Sequence, residues 1–277
     1  MDYPRFPDWL IYFAASGAIL VAAVSRQEHA DSPEAPPPPP GAERVPLGPS
    51  SPFDPVSVIR TGVHKGHARG TAFAVVDGGL WLTARSQVAG CDRVALKVAE
   101  GRAVTAQVQP GGDPQLAVLK TDGGPPGLPL SPAAGPGRNG ARAFLVGFPR
   151  QAPGEASAML MTTGLMKSGF RGQPPAPVRV WAETGRTENM KGALSGLVGA
   201  PVIGADHQVQ GVVLRQDQDR ARFYAAAPEA IARILADAGA RPQPAVPAEP
   251  ISVSNYGLAA DGLRRSGQVA QVLCLLR

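Results

Sequence analysis

The chain has 277 residues, 44% of them hydrophobic, enough for one sizeable core or for two smaller halves that share an interface. Aromatic residues are scarce at 5%, so that core is built mainly from Val, Leu, Ile and Ala, and 33 Gly with 30 Pro exclude a fold of long amphipathic helices. The net charge of +5 gathers downstream, where from Pro55 onward 24 Lys and Arg face 15 Asp and Glu, but no basic run exceeds two residues, which reads as a solvated basic surface rather than a nucleic-acid tract.

In chain order, the first feature is Trp9 to Ser25, an uncharged apolar stretch with Trp9 and Tyr12 at one end. Its length is near the lower limit for a spanning helix, and aromatic residues favour the membrane interface. Residues 1–25 therefore read as a transmembrane anchor; the alternative is a signal peptide cleaved after Ala23-Val24-Ser25. Either reading places the chain beyond Arg26 outside the cytoplasm. Residues 26–55 read as a disordered linker with five consecutive prolines, Pro36 to Pro40, because proline lacks the N–H a sheet requires. In polyproline II geometry, at about 3.1 Å per residue, such a spacer reaches several nanometres.

The texture changes at Val56. Strands are expected at Val56–Arg60, Gly70–Val76, Leu80–Thr83, Val94–Val98, Val104–Val108 and Leu116–Lys120. After a Pro/Gly-rich crossover from Gly123 to Gly140, more are expected at Ala141–Gly147, Ala158–Thr163, Val178–Ala182, Ala200–Ile203, Val209–Leu214 and Arg222–Ala225. Short strands at such regular spacing indicate an all-β sandwich or barrel. One helix is expected, Pro228 to Ala238, opened by proline and closed by Gly239. The tail, 241–277, holds a Pro-rich connector, a short helix candidate at Leu258–Ser266 and an apolar run, Gln268–Leu276, of strand length. The simplest role for that run is to pair with an exposed sheet edge.

The order of these segments resembles the trypsin-like serine peptidases, most closely their bacterial HtrA-type branch. Gly70-Thr71-Ala72-Phe73 is similar to the family's opening G-S-G-F strand. Trp81-Leu82-Thr83-Ala84-Arg85-Ser86 resembles the L-T-x-x-H segment, Asp113-Pro114-Gln115-Leu116-Ala117-Val118 the D-L-A-V segment, and Gly196-Leu197-Val198-Gly199-Ala200-Pro201 the G-x-S-G-G/A-P nucleophile loop. The resemblance implies a double β-barrel over 56–240, with barrels at about 56–127 and 138–226, in a protein of the bacterial inner membrane with its domain in the periplasm. It also implies the loss of chemistry. The histidine position is Ser86, the aspartate position Gln115 and the serine position Val198. Acyl transfer by this mechanism needs a hydroxyl, an imidazole to take its proton and a carboxylate to hold that imidazole. None of the three positions supplies its part, so the expectation is a pseudo-peptidase that binds a protein or extended peptide, or acts as an envelope scaffold.

The family's peptide-binding backbone maps onto Gly196 and Val198 in the nucleophile loop, and onto the strand after it, around Gly211 to Arg215, with Gly211, Val212 and Val213 as the named contacts; pairing along that strand would be β-augmentation. A collapsed cleft is the alternative. The competing function is an active serine endopeptidase using Ser195, which would need one of the histidines 29, 64, 67 or 207 as its base. No cluster has metal-ligand spacing and no Gly-rich loop precedes a helix, so no cofactor is expected. In an oxidising compartment Cys91 and Cys274 are expected to form a disulfide that pins the tail to the first barrel; two buried thiols are the alternative.

Overall fold

The computed structural model describes residues 58–60, 67–99, 101–111, 113–132, 137–167, 175–188, 190–241 and 249–276, all within the compact unit Pro49–Arg277. The segments expected as an anchor at 1–25 and a linker at 26–55 lie outside the described residues. No described helix is long and apolar enough to cross a membrane.

The expected all-β double barrel is present. The first six strands are β1 (Val58–Arg60), β2 (His67–Val76), β3 (Leu80–Ala84), β4 (Arg93–Ala99), β5 (Arg102–Val108) and β6 (Leu116–Lys120). The next six are β7 (Arg142–Gly147), β8 (Gly154–Met166), β9 (Ala176–Arg186), β10 (Pro201–Gly204), β11 (Val209–Asp217) and β12 (Arg222–Ala226). Helix α1 (Pro228–Asp237) comes next, and the tail supplies α2 (Tyr256–Arg265) and β13 (Val269–Leu275). Strands β7 to β12 close the second barrel in the order β10-β11-β12-β9-β8-β7.

Several central strands read as continuous apolar runs because both of their faces are buried. In β2, Ala72 and Ala74 face the interior of the first barrel, whereas Phe73 and Val75 face a layer shared between the barrels. Trp81 and Leu82 of β3 divide in the same way. In β7, Ala143 and Leu145 point into the second barrel and Phe144 and Val146 into the shared layer. Helix α1 closes that layer with Ala230, Ile231, Ile234 and Leu235. Buried side chains of this kind contribute about 1.5–3 kcal/mol each.

The first barrel departs from expectation. Its closed ring runs β5-β4-β13-β2-β3-β6, with β5 returning to β6 through Gln107↔Lys120 and Val108↔Leu119. The tail strand therefore does not sit on an edge, as expected for Gln268–Leu276. It lies between two strands, pairing Val272 with Gly70 on one side and with Leu96 on the other. Six of its seven residues are buried, which suits an interior position. The opening strand is only an appendage, three residues paired to the start of β5. The unit expected at 56–240 thus takes its closing strand from 269–275.

Two contacts fasten the tail. Cys91 and Cys274 form the expected disulfide, with Cα atoms 5.2 Å apart and a sequence separation of 183. Helix α2 stacks Tyr256 on Phe144 at 5.5 Å and directs Arg264 onto Glu155 at 3.0 Å, both side chains 9% exposed. In the chain-entropy model, a cross-link over so long a loop stabilises by up to about 5 kcal/mol. Cys91→Ser, Cys274→Ser and the double variant should therefore all lose the same amount, about 2–5 kcal/mol, in urea denaturation. Losses that add in the double variant would show that the two residues act separately.

Candidate functional site

The loop Leu194–Pro201 has little regular structure, and its shape is set by its anchors. Leu194 and Leu197 are fully buried in the second barrel, on either side of a single 3-10 turn, Ser195–Leu197. That turn directs the Val198 N–H inward to the Ser195 carbonyl at 3.1 Å. The Val198 carbonyl accepts the Thr71 N–H at 3.0 Å. The Thr71 hydroxyl donates to Gly196 O at 2.8 Å and accepts the Phe148 N–H at 3.2 Å. Gly199 is required at its position: φ is +89°, and a Cβ there would lie 2.1 Å from Thr71 O. Its N–H bonds Val213 O at 2.7 Å, while Gln216 Oε1 takes the Leu194 N–H at 2.5 Å.

Ser86 lies on the 3-10 turn Arg85–Gln87 directly after β3. It is exposed, and its hydroxyl accepts the Gln87 amide at 3.1 Å. Gln87 is buried and packs against Gly70; a Cβ on Gly70 would meet both the Gln87 side chain and Val198 O. Arg85 ties this turn to the start of β6: its N–H reaches Gln115 O at 2.8 Å and its guanidinium reaches Asp113 O and Gly111 O. One Asp113 carboxylate oxygen accepts the N–H groups of Gln115 and Leu116, and the other lies 3.7 Å from Arg233.

The segments carrying Ser86, Gln115 and Val198 therefore converge, through the Arg85–Gln115 bond and the packing of Gly199 against Thr83 and the Ala84 N–H. No described hydrogen bond joins the three side chains. The Gln115 side chain is 7% exposed, and its Nε2 has no partner among the described residues. It lines an apolar cavity of about 370 Å³ with Arg179, Glu229 and Arg233. Burial pulls the Arg179 guanidinium below its ordinary pKa, and the Glu229 charge opposes that shift.

Ser195 is exposed and faces a separate cleft of about 480 Å³ beside Gly196. His29 and His64 lie outside the described residues, and at His67 only the backbone is described. His207 sits in the β10–β11 turn with its Nε2 on Glu249 O. No group of metal-binding side chains occurs among the described residues.

Of the stretch expected on β11 around Gly211 to Arg215, the named residues Gly211, Val212 and Val213 need correction. Val212 pairs with Pro201 on one side and Ala226 on the other; Val213 bonds Ala200 and Gly199 on one side and pairs with Ala225 on the other. Gly211 is paired to Val202. A peptide cannot add a strand to an edge already occupied. The stretch with one side unpaired among the described residues is Leu214–Asp217, beyond the end of β10. Sequence reading also missed Thr71 and Gln87, polar residues whose roles appear only once their distant partners are known.

Thr71→Val removes both the donor to Gly196 O and the acceptor of the Phe148 N–H. Leaving such groups unsatisfied costs about 1–3 kcal/mol each. Thr71→Val should therefore lower stability by about 2 kcal/mol or more and open residues 190–199 to limited proteolysis, while Thr71→Ser stays close to the parent. Equal behaviour of the two variants would remove the hydroxyl from this account.

A family model for the trypsin-like peptidase domain matches residues 70–212. No curated protein matches the chain. Among solved structures, the Rv3671c protease of M. tuberculosis in its active form superposes with a TM-score of 0.52 at 23% identity, over 66% of this chain and 78% of that one. The inactive form of the same protease gives 0.50 at 23%, over 62% and 84%. The HtrA-type protease AlgW, determined with a decapeptide, gives 0.50 at 20%, over 62% and 52%. At these identities the structural likeness speaks for the fold; with the family match over half its length, this chain belongs to the trypsin-like peptidase domain family.

Proposed function

We propose that this chain is a membrane-anchored, extracytoplasmic pseudo-peptidase, which binds an extended peptide or protein segment and does not hydrolyse it. The observation that carries this reading is Val198. An aliphatic side chain stands where the family motif has its nucleophile, and the backbone N–H beside it is engaged by Ser195 O rather than presented to a substrate oxyanion. Ser86 and Gln115, at the positions of the base and its orienting acid, reinforce it: neither takes up a proton under ordinary conditions. Binding needs none of these groups. The unpaired side of Leu214–Asp217 offers main-chain donors and acceptors to an added strand. AlgW, of the same fold, was determined with a decapeptide. Residues 1–25 anchor the chain in the bacterial inner membrane, and 26–55 hold the domain away from it in the periplasm. The Cys91–Cys274 bond fits an oxidising compartment.

The purified full chain should take no label from a fluorophosphonate probe and should leave unfolded casein intact. Labelling that disappears in Ser195→Ala would overturn the reading in favour of an active endopeptidase. For the anchor, the full chain should stay with alkali-washed membranes and leave them only in detergent; release by alkali would count against an uncleaved span.

A further inference from the structure

The described cavities differ in their electrostatics. Two of them carry a carboxylate in their walls, Glu229 in one and Asp261 in the other. In the latter, Arg264 is held by Glu155 and Asp261 at 3.0 and 2.6 Å. The cleft beside the Ser195–Leu197 turn has no such compensation. Its described lining includes Arg69, Arg150, Ser195 and Gln271, and no Asp or Glu. Neither arginine has a carboxylate partner among the described residues.

Each guanidinium group nevertheless has a backbone anchor. Arg69 donates one N–H to Ala89 O at 3.1 Å, and Arg150 donates one to Lys191 O at 2.8 Å. A guanidinium has five N–H donors, so each anchored arginine keeps donors for a ligand. The backbone adds a second sign of construction. Arg150 and Gln151, adjacent and neither of them glycine, both lie in the left-handed region at φ 52° and 67°. That region is disfavoured for such residues, and pairs held there cluster at ligand-binding sites. Gln271, 4% exposed and carried by the interior strand β13, is also part of the lining.

We propose that this cleft is a carboxylate-recognition subsite, and that the peptide bound by this domain places an acidic side chain between Arg69 and Arg150. The proposal rests on the peptide-binding reading and adds the chemistry of the ligand. A bidentate guanidinium–carboxylate contact is geometrically matched, and two anchored cations without a counter-charge lose least by accepting an anion. A peptide has two sources of carboxylate, an internal Asp or Glu and its own C-terminus, and the expected one here is internal.

The test uses the full chain in detergent micelles and three fluorescein-labelled decapeptide pools, randomised over Ala, Val, Leu, Ser, Thr and Gly. One pool has a central Glu and an amidated C-terminus, one a central Gln and an amidated C-terminus, and one a central Gln with a free C-terminus. Fluorescence anisotropy should show the Glu pool binding about tenfold tighter than the amidated Gln pool, weakening as salt rises. The advantage should vanish in Arg69→Gln and Arg150→Gln and be retained only in part in Arg69→Lys and Arg150→Lys, which keep the charge and lose the bidentate fork, with thermal unfolding unchanged in all four. Tighter binding of the free-C-terminus pool, with the same dependence on the arginines, would support the subsite and reassign its ligand to a chain end. Equal binding of all pools, or a preference indifferent to the arginine variants, would overturn the subsite while leaving peptide binding intact. Binding of no pool would overturn both.

Discussion

The geometry of the candidate site depends on the hold that Thr71 has on the loop above it. Its N–H takes the Val198 carbonyl, its hydroxyl takes the Gly196 carbonyl, and its own carbonyl lies so close to Gly199 that no side chain fits there. Thr71 has this reach because β2 is paired on both sides and buried on both faces, which leaves it no freedom to shift. One of those partners is β13, whose Val272 stands opposite Gly70, and Gly70 in turn abuts Gln87 and Val198 O. The end of the chain is thus a structural neighbour of the loop. The Cys91–Cys274 bond makes that relation covalent, since Cys91 comes one short turn after Gln87. A tail that merely decorated a sheet edge would have no such bearing on the site.

The features legible in the sequence are the local ones. Residues such as Ala72-Phe73-Ala74-Val75 and Leu116-Ala117-Val118-Leu119 are apolar on alternate sides because each side faces a different core, and a run without polar relief signals that environment. Pro228 and Gly239 bracket α1 for equally local reasons. The order of the motifs from Gly70 to Pro201 pointed to the two-barrel architecture, and two cysteines left one possible pairing.

Pairing at a distance was not legible. The run Gln268–Leu276 could be recognised as a strand, but nothing within it says that β2 and β4 leave a gap of that width. The same limitation misplaced the edge on β11. Gly211 to Val213 and Leu214 to Asp217 read as one strand, and only the point at which β10 stops separates the occupied part from the free part. Hairpin β8–β9 is longer than expected for a related reason. Beyond Ala158–Thr163 and Val178–Ala182 the ladder runs on because Ala156 and Ser157 find Arg186 and Gly185 opposite them at one end, and Leu165 and Met166 find Pro177 and Ala176 at the other.

In the proposed reading, the same features of the cleft that oppose hydrolysis also suit retention. Ser195 is the one exposed hydroxyl on its turn, but the charged groups around it are guanidinium groups, which have no lone pair with which to take a proton. Nucleophilic catalysis needs an acceptor there, and the described lining supplies none. The same cations, anchored to backbone and without acidic neighbours in the described lining, favour a ligand that is already anionic. The inward N–H of Val198 acts in the same direction. It satisfies a backbone donor inside the protein and so stabilises the loop, while removing the donor that would have bound a developing oxyanion. A loop with this hydrogen bond gains stability by giving up that donor, which is the balance the proposed peptide-holding role calls for.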